Sequence, residues 1–160
     1  MLIRHATLRD LPRLRQIYDS AKQYMRANGN PTQWDANYPS DELLISDLKK
    51  EQLYVMEETG EVHAVFVLAE GPDSTYAKID GAWLSDMDYM VIHRIASDGK
   101  SRGILSEALR FGFGKTPSIR IDTHSNNHIM QTLLKQYGFT YCGIIYLENG
   151  DPRLAYQADR

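Results

Sequence analysis

With 160 residues, 42% hydrophobic and 24% charged, the chain has an ordinary globular composition and enough length for a core without disulfides or metal. A formal charge of -3 argues against a general nucleic-acid binder, and no apolar run reaches the roughly 18 residues of a membrane span. The single cysteine, Cys142, excludes an intrachain disulfide and a cysteine-rich zinc site, and reads as an inert buried thiol.

Residues 1–10 are charged too early for a signal peptide, so a single cytoplasmic domain spanning 1–160 is expected. Residues 2–6 read as a short strand. Asp10 before Leu11-Pro12 predicts a helix start, and Leu11, Leu14, Ile17, Ala21 and Met25 carry that helix to about Asn28, where Gly29-Asn30-Pro31 stops it. Residues 29–39 have no period but hold Trp34 and Tyr38. Ser40 caps a second helix through Leu44 and Leu48. Residues 52–57 and 62–69 predict a hairpin, and its second strand is apolar on both faces, which demands cover on both. Residues 71–88 read as surface loops with a short apolar piece at 79–84. A strand at 89–96 leads through a glycine-bearing turn into a helix at 104–111. A strand at 118–123, a helix capped by Asn126 or Asn127 and closed by Gly138, and strands at 139–147 and 154–157 complete the chain. The order predicts an α/β (α+β) fold with one mixed central sheet covered by helices.

The turn ahead of Ile104 is the most informative junction. A helix start presents unpaired N–H groups and a partial positive charge. Gly99 and Gly103 allow close approach, and Lys100 and Arg102 add charge, so the turn is a candidate pyrophosphate cradle, although many strand–helix joints carry a glycine. It is not a P-loop, because the upstream glycine would fall at Arg94, and its glycines do not fit a dinucleotide fingerprint.

The segment His93-Arg94-Ile95-Ala96-Ser97, followed by Lys100-Ser101-Arg102-Gly103-Ile104-Leu105, resembles motif A of the GCN5-related N-acetyltransferases (GNAT). Asn127, Met130, Leu133, Leu134 and Gly138-Phe139 resemble the family's next motif, and the element order agrees along nearly the whole chain. The likeness is greatest to small bacterial members. Lys100 stands where the family has Arg or Gln. Leu105 stands where it has Gly or Ala, which is expected to narrow the space near the phosphates. Leu134 stands where it has the tyrosine that protonates the leaving thiolate.

The resemblance implies a mostly antiparallel sheet with splayed central strands and helices on both faces. It implies acetyl transfer from acetyl-CoA to a primary amine, small or peptidic, by direct attack through a tetrahedral intermediate, with no metal. Ile95, Ala96, Ser97, Lys100, Ser101, Arg102, Gly103, Ile104, Leu105 and Asn127 would hold the co-substrate, and an N–H near Ile95 would face the developing oxyanion, a donor typically worth ~3–4 kcal/mol. The acceptor would sit near Asn30, Gln33 and Trp34, although Trp34 equally suits the edge of the core. Because a primary amine with a pKa near 10.4 is almost all ammonium at neutral pH, a base is needed. Imidazole titrates in the working range, so His93 is the first candidate and His124 the second. The alternatives are a strand histidine bonding a neighbour and a loop histidine bonding backbone beside the Asn126 cap. Tyr137 is the candidate substitute acid, or else a packing residue. His124 and His128 have ligand-like spacing but no third partner. A homodimer is compatible with the family. The rival reading is a non-catalytic domain that binds or senses acetyl-CoA.

Overall fold

A computed structural model describes residues 1–160. Its elements, in chain order, are β1 (Leu2–His5), α1 (Leu11–Ala27), α2 (Asp41–Lys49), β2 (Leu53–Glu58), β3 (Glu61–Glu70), β4 (Asp80–Gly81), β5 (Met90–Ser97), α3 (Ile104–Phe113), β6 (Ser118–Thr123), α4 (His128–Gln136), β7 (Thr140–Tyr146) and β8 (Pro152–Asp159). The strands form one sheet in the order β1-β2-β3-β5-β6-β8-β7-β4, antiparallel throughout except where β5 meets β6. No helix is long and apolar enough to cross a membrane.

The two-faced pattern of β3 explains the layering. Ala64, Phe66 and Leu68 face a core shared with Leu105, Ala108 and Leu109 of α3 and Leu134 of α4. Val65 and Val67 face the opposite core, built with Leu14, Ile17 and Tyr18 of α1 and Leu44 of α2. Helices therefore cover both faces, as the alternation requires.

Three details differ from the sequence reading. Asp10 does not cap α1; its carboxylate accepts the Thr7 N–H at 2.7 Å and closes a 3-10 turn at Leu8–Asp10. Residues 80–81, read as loop, pair with Ile144 and Gly143 at the sheet edge. There the backbones approach so closely that a Cβ on Gly81 would lie 2.2 Å from the Cys142 carbonyl oxygen, so glycine is obligatory. Strand β8 runs longer than residues 154–157 because it pairs with β6 from Ser118↔Asp159 to Thr123↔Leu154 and with β7 out to Tyr146↔Pro152. Ser40 and Asn127 do cap their helices, accepting from Leu43 N–H at 3.2 Å and Met130 N–H at 3.0 Å.

Candidate functional site

Strand β5 has two unlike edges. Toward β3 it pairs from Glu70↔Met90 to Ala64↔Ser97. Toward β6 it pairs only at Met90↔Ile119 and Val91↔Arg120. Beyond Val91 the strands diverge and leave the β6-facing edge of β5 unpaired, the kind of edge that accepts an extended ligand as an added strand. The divergence coincides with a bulge, where the register shifts between Val65 and Val67 and Arg94 adopts φ 49°. Positive φ at a non-glycine residue is unfavourable, and the surroundings hold it. Tyr18 Oη donates to the Arg94 carbonyl at 2.8 Å, and the guanidinium donates to Asp47 Oδ2 at 2.8 Å and to Tyr38 Oη at 3.2 Å.

The gap opens into a cleft of about 600 Å³. Ile92, Ile95, Ile121, Asn127 and Met130 line it together with His93, Asp73, Asp122, Trp34, Tyr38 and Arg153. Beyond Ile95, past the residues that line the cleft, β5 leads into the turn before α3. Gly103 caps that helix with φ 72°, and the first bond of the helix is Glu107 N–H to Gly103 O at 2.9 Å. No protein group accepts from the N–H groups of Arg102, Gly103, Ile104 or Leu105. Lys100 and Arg102 are exposed and form no ion pair. The preceding residues are fixed: Asp98 binds Arg13 at 2.6 Å and His63 Nδ1 at 2.7 Å, and accepts the Lys100 N–H at 2.9 Å. Ser97 Oγ accepts the Gly99 N–H at 3.0 Å, and Ser101 Oγ donates to Glu58 Oε2 at 3.0 Å. Bare amides at a helix start beside two free cations suit a diphosphate, and the unpaired β5 edge suits an extended arm.

Leu105 does not narrow this cradle. Its side chain is buried among Ala108, Leu109 and Leu134, because positions 105, 108, 109 and 112 form the inner face of α3. Ala96 likewise faces the α1 core, whereas Ile95 borders the cleft.

Within the cleft, His93 Nε2 lies 3.0 Å from Asp73 Oδ2, and no protein group bonds its Nδ1. Asp73 Oδ1 accepts from Thr75 N–H at 2.9 Å and Thr75 Oγ1 at 2.6 Å. The His93 contact, followed by the Thr75 bonds, holds the Asp73 carboxyl down at about 2 despite burial. Tyr76, buried beneath, donates to Asp122 Oδ2 at 2.5 Å; burial and then the Asp122 charge push its phenol well up. Residues 73–76 thus tie β5 to β6 across the opening. Asp73, Tyr76, Asp122 and the Arg94–Asp47 pair do not stand out in the sequence; the Asp-x-Thr spacing, an Asx-turn pattern, is the one local signal.

Other expected residues fall elsewhere. His124 Nδ1 accepts the Asn126 N–H at 3.0 Å and Nε2 faces Thr32 Oγ1 at 3.3 Å, while burial and then the Arg153 charge push its pKa down. It is a neutral loop histidine outside the cleft lining, with its acceptor nitrogen taken. Tyr137 lies seven residues beyond Met130, about 10 Å further along the axis of α4. It borders a separate hollow with Leu109, Phe113 and Arg160, so it cannot replace the missing tyrosine, and Leu134 is fully buried. Asn30 is buried, is not among the residues lining the cleft, and donates to Gln33 Oε1 at 2.8 Å. Gln33 also receives Asn127 Nδ2 at 3.1 Å and, through its carbonyl, Arg153 at 3.2 Å. Asn127 is therefore bonded at both ends of its carboxamide. Trp34 both borders the cleft and packs edge-on against Tyr18, with centroids 5.7 Å apart.

No family model matches the sequence, and no match was found among curated proteins. Solved structures are similar. An acetyltransferase of the GNAT family from Streptococcus agalactiae is 30% identical, with a TM-score of 0.86 over 99% of this chain and 95% of the other. A ribosomal-protein-alanine N-acetyltransferase from Brucella melitensis is 21% identical with a TM-score of 0.63, covering all of both chains. A GNAT-like decarboxylase in complex with isobutyryl-CoA is 14% identical with a TM-score of 0.68, covering 99% of each. The last two likenesses concern the fold alone.

Proposed function

The chain belongs to the GNAT acetyltransferase family, and we propose that it moves an acetyl group from acetyl-CoA to a primary amine, with His93 as the base. The observation that carries this reading is the parting of β5 from β6 after Val91, on the strand that leads into the unbonded amides at the start of α3.

The residues fit the co-substrate. Amides of Arg102, Gly103, Ile104 and Leu105, with Lys100 and Arg102, would hold the diphosphate; the free edge of β5 through Ile95 would hold the arm. Bound there, acetyl-CoA supplies an activated acyl thioester. The protein's work lies within the cleft. His93, unbonded at Nδ1, takes the proton that the attacking nitrogen must lose. A backbone N–H near Ile95 stabilises the oxyanion of the tetrahedral intermediate. No tyrosine stands at position 134 to protonate the leaving thiolate. A thiol with an ordinary pKa near 8.5 takes its proton from water at neutral pH, so none is required. Asp35, Asp122, Glu148 and Asp151 border the cleft without an ion-pair partner, a setting that tolerates an incoming ammonium.

The test is release of CoA thiol over a panel of amines, with mass detection of the acetylated product, beside calorimetry with acetyl-CoA. Binding and turnover are expected. Binding without turnover on any amine would favour a sensing domain, and no binding would remove the cradle. His93→Ala is expected to lower the rate about 10²-fold at neutral pH and less at high pH, where the amine deprotonates itself. An equal loss at every pH would make His93 structural.

A further inference from the structure

We propose that Asp73 is the positioning residue for His93: it fixes the imidazole as the Nε2–H tautomer and so makes Nδ1 the atom that takes the amine's proton. This rests on the acetyl-transfer reading.

Geometry carries it. Asp73 Oδ2 is 3.0 Å from Nε2, whereas Nδ1 has no protein partner. A carboxylate only accepts, so a neutral ring facing it places its proton on Nε2. The carboxylate is itself held on both sides. Thr75 bonds Oδ1 twice, and the Asp73 N–H donates to Tyr89 Oη at 2.9 Å, which anchors the loop at the start of the strand bearing His93. Below, Tyr76 lies with its ring centroid 6.2 Å from that of His93 and is tied to Asp122 of β6. A ring gripped at one nitrogen by a loop bonded to both walls of the cleft keeps its other nitrogen in one place.

Charge points the same way. The groups around His93 are Asp73 and Tyr76 from the loop, Tyr89 and Arg94 from β5 and its approach, and Asp122 from β6. The Arg94 guanidinium is committed to Asp47, and Asp122 to Tyr76. Asp73 is thus the charge in hydrogen-bond contact with the ring, and it stabilises the imidazolium formed during attack. Nδ1 takes a proton from the bound ammonium and frees the lone pair that forms the C–N bond, while the carbonyl pair moves onto oxygen. The imidazolium's proton and the nitrogen's second proton then leave to solvent, and the oxyanion re-forms the carbonyl. The C–S bond then breaks with its electron pair on sulfur, and the thiolate takes a proton from solvent. Asp73 remains a carboxylate throughout.

The experiment is ¹⁵N NMR of histidine-labelled protein, with the His93 signal identified by its loss in His93→Gln, beside steady-state kinetics. Wild type should show the neutral His93 ring protonated at Nε2. Asp73→Asn keeps an oxygen for Thr75 but turns an N–H donor toward Nε2. It should move the proton to Nδ1, lower kcat about 10²-fold and leave the KM for acetyl-CoA unchanged. Thr75→Val, which removes only the 2.6 Å bond, should keep the tautomer and lose far less. Wild type protonated at Nδ1 in an active enzyme would overturn this proposal alone, as would an Asp73→Asn protein that keeps both tautomer and kcat. A wild-type chain that turns over no amine would overturn the acetyl-transfer reading, and the proton-accepting role of Nδ1 with it.

Discussion

The turn into α3 and the His93 cluster in the cleft are built from different material. In the turn the functional groups are backbone amides, presented by a helix start and a glycine at φ 72°. In the cluster they are side chains from segments far apart in the chain: Asp73 with His93, Tyr76 with Asp122, Asp47 with Arg94. A backbone site asks little of neighbouring side chains. Lys100 and Leu105 therefore depart from the family pattern without obstructing the amides, since Lys100 is exposed and Leu105 points inward. A side-chain site depends on each partner, and most of its partners are half-buried or buried, where an unpaired charge is costly.

Substitutions at the two sites should therefore fail differently. The greatest change in stability is expected from Asp47→Ala. The Arg94 and Asp47 side chains are only 12% and 2% exposed, so removing the carboxylate strands a buried cation. Chemical denaturation should report a loss of about 3–5 kcal/mol; a loss below about 1 kcal/mol would mean that the pair does not hold the bulge. Gly103→Glu should instead abolish acetyl-CoA binding in calorimetry while the protein stays folded. A Cβ at 103 meets nothing within 4 Å, so the harm is a negative charge on the cradle plus the strain of positive φ, of order 1 kcal/mol. Undiminished binding would remove the amides from the site. Tyr137→Phe should change neither kcat nor its pH profile, because the phenol borders a different hollow. A slower thiol release in that variant would return Tyr137 to the chemistry.

The acid limb also separates the two sites. Asp73 has its pKa lowered from about 3.8 in the unfolded chain to about 2. Its contribution to stability is fully present above the unfolded value and is lost as pH falls from there through about 2. Acid titration followed by His93 NMR should show the loop 73–76 releasing in that window; Asp73→Asn should show no such step.

Much of the fold was legible because its signals are local. The alternation in β3 announced a strand with two covered faces, the 105–108–109 spacing gave the inner face of α3, and Ser40 and Asn127 marked helix starts. The errors were also physical. Asp10 had a competing partner in the Thr7 backbone. Gly81 and Gly143 let an edge strand form where composition suggested only loop. Tyr137 shares a helical face with position 134, yet it borders a hollow with Leu109, Phe113 and Arg160 and not the cleft.

The sequence by itself determined the order of the main elements, the caps at Ser40 and Asn127 and the bare-amide turn, because each depends on residues within a few positions of one another. Only the tertiary structure decided that β5 parts from β6 after Val91, that Asp73 meets His93 across 20 residues, and that His124 is spent on its own loop. Those outcomes depend on which distant backbone groups and charges find each other on burial, and no periodicity or spacing encodes that choice.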